Sequence, residues 1–154
     1  FVPREDSERP MIFMAGGTGF APVKAIVEHF IGLGSRRPID VYWGARSAAD
    51  LYLRPLAERW AASTQNVRFH AVISGADVGA GERPGLVHEA VLADHPDLSG
   101  HDLYMSGPPP MIDAGHQLFV EAGLPEDRLY YDSFDYAPEV LARIITGRAG
   151  FTGF

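Results

Sequence analysis

Five short segments rich in β-branched and aromatic residues alternate with longer, helix-like segments along this 154-residue chain. The first, Met11–Ala15 (MIFMA), is almost wholly apolar, which is typical of a central parallel strand buried on both faces. Such alternation predicts right-handed crossovers, so we expect one doubly wound α/β domain with helices on both faces of a five-stranded parallel sheet, in the order 3-2-1-4-5. The other predicted strands are Ile39–Ala45, Val67–Ile73, Asp102–Ser106 and Arg128–Asp132, and the predicted helices are Pro22–Gly32, Ala48–Ala61, Gly85–Ala93 and Pro109–Ala122.

The length of the chain suits one domain, to which we assign residues 1–134. Residues 135–154 are expected to form a C-terminal tail that is partly helical or mobile. Between the third strand and the third helix, the glycine-rich segment Gly75–Gly85 (GADVGAGERPG) is predicted to be a loop.

Composition argues against several classes of function. The net charge is −7, and the 13 basic residues form no stripe that could follow a nucleic-acid backbone. No apolar run reaches the roughly 18 residues of a membrane span. The charged start, FVPREDSERP, lacks the apolar centre of a signal peptide, so we expect a cytoplasmic protein. The absence of cysteine excludes cysteine-ligated iron–sulfur clusters in this chain, and the six histidines lack zinc-site spacing, so no metal is expected.

Two turns fall where predicted strands end, which is where open parallel sheets bind ligands. The first, Gly16–Pro22 (GGTGFAP), follows the first strand and opens the first helix. Its glycines allow a tight turn and a close approach of pyrophosphate to the N–H groups, and the helix N-terminus favours negative charge. The spacing matches neither the G-x-G-x-x-G fingerprint nor a P-loop.

The second turn, Ser106–Met111 (SGPPPM), follows the fourth strand. A glycine followed by three prolines forms a rigid strand end that cannot continue the hydrogen-bond ladder. Ser106 lies outside a G-x-S-x-G pattern, and its nearest candidate base, His116, is poorly placed, so hydrolase chemistry is disfavoured.

Both turns, together with the segments YWGAR (42–46), DLY (50–52) and YYDSF (130–134), resemble the pyridine-nucleotide domain of the ferredoxin–NADP reductase family. The resemblance covers about Arg9–Phe134, and is greatest to NADH-linked reductases that serve oxygenases or deoxysugar dehydratases, such as the CDP-6-deoxyglucoseen reductases. It implies that NADH presents a hydride to FAD, which relays electrons to an iron–sulfur protein or domain.

The resemblance also implies roles for individual residues. The first turn would lie near the pyrophosphate, and the second would complete the wall around the nicotinamide. Ser106 corresponds to the cysteine that plant-type members place beside the nicotinamide, and Phe134 to an aromatic residue that lies against the flavin. The implied site residues are Gly16, Gly17, Thr18, Gly19, Pro22, Arg46, Ser74, Ser106, Gly107, Pro108, Pro109, Asp132 and Phe134.

NADH is favoured over NADPH because NADPH-using relatives place an arginine directly after the serine that ends the third strand. Here Gly75 follows Ser74, so Gly75→Arg is expected to shift the preference toward NADPH. Arg46 and Arg83 leave NADPH open, since either guanidinium is close enough in sequence to reach a 2′-phosphate.

The family's flavin-binding R-x-Y-S/T pattern is not found in the sequence. We therefore expect FAD to be held by a flavin-binding barrel on a domain missing from this chain, which would be a truncated fragment with negligible activity alone. The alternative is a non-catalytic, orphan nucleotide-binding module, and the residues named above do not distinguish the two.

Overall fold

A computed structural model describes residues 1–133 and contains one six-stranded parallel sheet covered by helices on both faces. The strand order is β4-β3-β2-β1-β5-β6. The strands are β1 (Met11–Gly16), β2 (Ile39–Ala45), β3 (Val67–Ile73), β4 (Glu82–Pro84), β5 (Asp102–Gly107) and β6 (Leu129–Ser133). The helices are α1 (Phe20–Gly32), α2 (Arg54–Ser63), α3 (Val87–Asp94) and α4 (Pro109–Glu121).

The doubly wound architecture is confirmed, but the prediction of five strands is wrong. The five predicted strands are present in the predicted relative order, and β4 adds a sixth at the edge beside β3. This strand lies inside Gly75–Gly85, the segment predicted to be a loop. It has three residues, two of them charged, and forms only because the chain folds back along Ala71–Ile73, so no local hydrophobic pattern marks it.

The central strand β1 is buried along its whole length, as its apolar sequence predicts. Successive side chains of a strand point to opposite faces, and this alternation divides the core in two. Phe13 packs in the cluster under α1 and α2 with Phe20 and Trp60, while Met14 packs in the cluster under α3 and α4 with Phe119. Parallel order and helices on both faces bring the carboxyl ends of all six strands to one edge.

The second predicted helix, Ala48–Ala61, is divided in the structure. A short 3-10 turn occupies Ala48–Asp50, and α2 begins only at Arg54. Pro55 explains the boundary, because proline lacks the N–H that a helix interior requires and is tolerated in the first turn. Of the remaining predictions, Phe134 and the tail 135–154 lie outside the described residues. No helix within residues 1–133 is both long and apolar enough to cross a membrane.

Candidate functional site

The two predicted turns meet at the carboxyl edge of the sheet. β1 and β5 are neighbours, with Ala15 opposite Ser106. A Cβ atom built on Gly19 would lie 2.1 Å from the carbonyl oxygen of Ser106 and 3.0 Å from the backbone nitrogen of Gly107. Only glycine permits this approach of one backbone to the other, so the turns form one continuous surface above the switch in strand order.

The first turn presents backbone N–H groups. Gly17 adopts a left-handed conformation (φ 55°), and Gly17–Gly19 forms a 3-10 turn that leads directly into α1. The N-cap residues of this turn and of α1 are Gly16 and Gly19, which have no side chain with which to cap the N-terminus. The backbone N–H groups at a helix start and the positive end of the helix dipole together favour an anion such as a pyrophosphate. Pro22 lies in the first turn of α1, where its missing N–H does not disturb the helix.

The second turn has the opposite character. Pro109 and Pro110 begin α4 and have no N–H to donate, and the N–H of Met111 already bonds to the carbonyl of Pro108. The N-terminus of α4 is therefore a poor anion site. Pro108 and Pro109, both half-buried, instead offer a rigid, largely apolar surface beside Gly107.

Ser106 carries a polar atom without a partner. Its side chain is fully buried, and its Oγ atom makes no hydrogen bond within the described part of the chain. A buried hydroxyl without a hydrogen-bond partner destabilises a protein by about 1–3 kcal/mol, and a ligand that supplies a partner would remove this penalty. Half-buried Asp132 lies next to it, opposite Ser106 in the β5–β6 register. His116 pairs with Glu126 instead (Nε2–Oε1 3.1 Å), so Ser106 has no base there and the hydrolase interpretation gains no support.

The ends of β2 and β3 place Arg46 and Ser74 on the same edge, and both residues are exposed. Their strands are joined there, since the N–H of Gly75 donates to the carbonyl of Arg46 (2.9 Å). Asp50, four residues after Arg46, accepts a hydrogen bond from the Ser47 hydroxyl (3.1 Å). A Cβ atom on Gly75 would lie 2.4 Å from the Arg46 carbonyl oxygen, so glycine is required at position 75 for steric reasons.

Arg83, the other cation considered for a 2′-phosphate, is engaged elsewhere. Its Nη1 atom lies 2.5 Å from Oδ2 of Asp94, near the end of α3, and its Nη2 atom donates to the Ala90 carbonyl (3.4 Å). The hydrogen bond from Arg83 holds the pKa of Asp94 at about 2, against the opposing effect of burial. This pairing leaves Arg46 as the better placed of the two arginines.

The structure adds an aromatic group to which the sequence patterns assign no role. Trp43, within the YWGAR segment, is fully buried, and its Nε1–H donates to the carbonyl of Gly17 at 2.9 Å. The indole stacks on Phe20 at a centroid distance of 3.9 Å, and half-exposed Tyr52 meets it edge-on at 5.2 Å. The available sequence signal was a large aromatic residue near the carboxyl end of a buried strand.

The groups that this edge offers to a ligand are therefore the backbone donors of the first turn, the Ser106 hydroxyl and the exposed Arg46. Within residues 1–133 no three histidine or acidic side chains are arranged to hold a metal ion. The arrangement suits a ligand that is anionic in its middle and planar at one end, and residues 1–133 place no nucleophile beside a base in it.

Comparison with known proteins gives a match over most of the domain. Residues 13–117 match the family model described as the oxidoreductase NAD-binding domain. Protein RfbI of Salmonella typhimurium is 44% identical over 129 residues, which cover 84% of this chain and 39% of that protein. The CDP-6-deoxy-L-threo-D-glycero-4-hexulose-3-dehydrase reductase of Yersinia pestis is 40% identical over 134 residues, which cover 87% of this chain and 40% of that protein. The chain thus spans about two fifths of the length of these curated relatives.

Solved structures share the fold. The reductase GcoB of Amycolatopsis superimposes with a TM-score of 0.79 at 31% identity, covering 84% of this chain and 39% of that one. The ferredoxin reductase in carbazole 1,9a-dioxygenase gives a TM-score of 0.74 at 23% identity, covering 86% of this chain and 40% of that one.

Proposed function

Because the chain belongs to the oxidoreductase NAD-binding domain family, we propose that it is the NADH-binding part of a flavin-dependent reductase that supplies electrons to an iron–sulfur protein. The whole protein would then hold FAD on a flavin-binding barrel outside this chain, and would work in the cytoplasm where NADH is supplied. Relatives named as a dehydrase reductase and as ferredoxin–NAD(P)(+) reductase components of dioxygenase systems support this assignment.

The observation that carries the proposal is the contact between the two turns. Gly19 and the backbone of Ser106 are in direct contact, so a dinucleotide that rests on the first turn also reaches the second. The first turn offers the backbone N–H groups of a helix start, and the second offers a proline surface. A pyrophosphate therefore suits the first, and a nicotinamide ring the second.

The proposed roles follow this division. Gly16, Gly17, Thr18 and Gly19 would hold the pyrophosphate at the start of α1. Gly107, Pro108 and Pro109 would form the wall of the nicotinamide pocket, where the Ser106 hydroxyl would orient the ring and Asp132 would line the same end. Arg46 and Ser74 would face the adenosine end. When bound, NADH supplies the hydride and the flavin accepts it, so the chain's own residues position the ring and need neither give nor take a proton.

Nucleotide binding by the chain tests this assignment. We expect saturable binding of NADH to residues 1–154 in a fluorescence titration, and negligible dye reduction until a separately produced flavin domain from a relative is added. Ser106→Ala serves as a matched variant, since it removes only the hydroxyl that the ring would contact. It should retain ADP-ribose binding, which depends on the first turn, and weaken NADH binding.

Two outcomes would change the conclusion. If wild-type protein binds neither NADH nor ADP-ribose, the site is not a dinucleotide site. If the full gene product contains no flavin while this chain still binds NADH, the alternative of a non-catalytic nucleotide-binding module is correct.

A further inference from the structure

Trp43 joins the middle of the sheet to the first turn. It belongs to β2, where its partners in the neighbouring strands are Ala15 and Ala71. Its indole Nε1–H donates to the Gly17 carbonyl oxygen across a sequence separation of 26 residues. A buried indole N–H needs a partner, and here that partner is a backbone atom of the proposed phosphate-binding turn.

This hydrogen bond fixes the direction of the whole peptide group between Gly17 and Thr18. The peptide group that links Gly17 to Thr18 is planar and trans, so its carbonyl and its N–H point in opposite directions. Because the carbonyl of Gly17 points inward to Trp43, the N–H of Thr18 is directed away from the core. The left-handed conformation of Gly17 (φ 55°) makes this orientation accessible without strain.

Stacking limits the movement of the indole. Phe20, the first residue of α1, lies parallel to it at 3.9 Å with an interplanar angle of 6°. Tyr52 closes the group from the solvent side at 5.2 Å and a right angle. The indole of Trp43 thus contacts two parts of this region. It binds the carbonyl of Gly17 in the first turn, and it stacks on Phe20, the first residue of α1.

On the basis of these contacts, and assuming the proposed dinucleotide function, we propose that Trp43 is a positioning residue that orients the first turn for the pyrophosphate through its Nε1–H. It acts through the backbone of Gly17 and does not touch the cofactor. Preorganised donors bind an anion more tightly than donors that must first be ordered, so the effect should appear in affinity for any ligand that carries the pyrophosphate.

Trp60 provides a matched control. It belongs to the same aromatic group, stacking on Phe20 at 5.6 Å, and it is 5% exposed. Within residues 1–133 no hydrogen bond joins its indole to the first turn. Trp43→Phe and Trp60→Phe therefore remove similar volumes from one cluster, and only the former removes the bond to Gly17.

The test compares the two variants for thermal stability and for the dissociation constants of NADH, ADP-ribose and nicotinamide mononucleotide. Both should lose some stability through packing. Trp43→Phe should weaken NADH and ADP-ribose about threefold to tenfold, as expected for one lost hydrogen bond, and change nicotinamide mononucleotide, which lacks the pyrophosphate, much less. Trp60→Phe should stay within about twofold of wild type for all three, since it loses no hydrogen bond to the turn.

Equal effects of the two variants on ADP-ribose, or an unchanged affinity in Trp43→Phe, would overturn the inference while leaving NADH binding by the wild-type protein intact. If Trp43→Phe does not fold, hydrogen exchange of the wild-type indole N–H groups decides. Saturating ADP-ribose should slow exchange at Trp43 and not at Trp60, and an unaffected Trp43 would contradict the proposal. Failure of the wild-type protein to bind any of the three ligands would instead reject the function on which the inference rests.

Discussion

The contact between Gly19 and Ser106 can be tested with a single methyl group. In Gly19→Ala, the new Cβ would lie 2.1 Å from the carbonyl oxygen and 2.6 Å from the carbonyl carbon of Ser106. Ordinary contact begins near 3.4 Å, so the two backbones would have to separate by about 1.3 Å. No flexible side chain can absorb this displacement, because both obstructing atoms belong to the backbone of β5.

The magnitude follows from known costs of overpacking, about 1–3 kcal/mol for methylene groups forced into a packed interior. Backbone obstruction places Gly19→Ala toward the upper end of that range. One kcal/mol corresponds to roughly 2–4 °C in Tm for a chain of this size, so the variant should melt about 5–10 °C below wild type. Separation of the turns should also weaken NADH binding about tenfold or more, since the loss of roughly 1.4 kcal/mol of contact with the ligand is a tenfold change in affinity.

Alanine substitutions at two other glycines serve as controls, because they show what the loss of a glycine does where no backbone obstructs the new methyl group. Gly32→Ala, at the end of α1, meets no atom within 4 Å, so it should leave NADH affinity unchanged and keep or slightly raise Tm, since alanine is the better helix former. A Cβ atom at Gly17 also meets no atom, but the residue has a φ of 55°. Gly17→Ala should therefore lower the free energy of unfolding only by the roughly 1–2 kcal/mol that a non-glycine residue loses in the left-handed conformation. If Gly19→Ala shows wild-type melting in differential scanning fluorimetry and wild-type NADH affinity, the turns are not packed as described and the reasoning is refuted.

Two further predictions concern charge. The folded-state pKa of Asp94 is about 2, below its usual 3.8, so its interaction with Arg83 stabilises the protein above pH 3.8 and is lost as the pH falls toward 2. Asp94→Asn should therefore lower Tm at pH 5, and the difference from wild type should shrink progressively in melts as the pH falls toward 2; a constant difference would contradict the assignment. Wild-type protein should bind NADH at least as well as NADPH at low salt, and Ser74→Arg should shift the ratio toward NADPH about tenfold, as expected for one charge-assisted contact of about 1.5–3 kcal/mol. Ser63→Arg, on the exposed end of α2, is the charge-matched control, and a tenfold NADPH preference in wild type would show that Arg46 already supplies the phosphate site.

The test of nucleotide preference uses Ser74→Arg and not Gly75→Arg because of the packing around position 75. From the sequence, Gly75→Arg is the natural substitution, because the family resemblance implies arginine at this position in members that use NADPH. A Cβ atom at position 75 would lie 2.4 Å from the Arg46 carbonyl oxygen, so any side chain there must first displace β2 from β3. Ser74 is exposed on the same edge and accepts a long side chain without that displacement.

Local patterns were sufficient for the five long strands. Ile39–Ala45 and Val67–Ile73 were predicted with the bounds that the structure has, because each apolar run ends at turn residues. The strand Glu82–Pro84 could not be predicted, since its formation depends on a distant neighbour and not on its own residues. The partner of Trp43 is a similar case: the indole marks a buried position, but nothing in the sequence indicates which carbonyl 26 residues away it will reach.

The two edges of the sheet differ in a way that explains where a ligand can bind. At the amino edge the buried carboxylate of Asp102 is paired with Arg37 (2.9 Å) and Arg9 (3.1 Å), and that of Asp40 with Arg68 (2.9 Å). A buried carboxylate left without its partner is destabilising, so these charges are committed to the fold. Around the turns of the carboxyl edge, residues 1–133 form no such pair of charges, the N-cap residues of the first turn and of α1 are glycines, and the Ser106 hydroxyl has no partner among these residues. An anionic ligand is therefore better accommodated by the positive end of the α1 dipole at the carboxyl edge than beside the buried carboxylates of the amino edge.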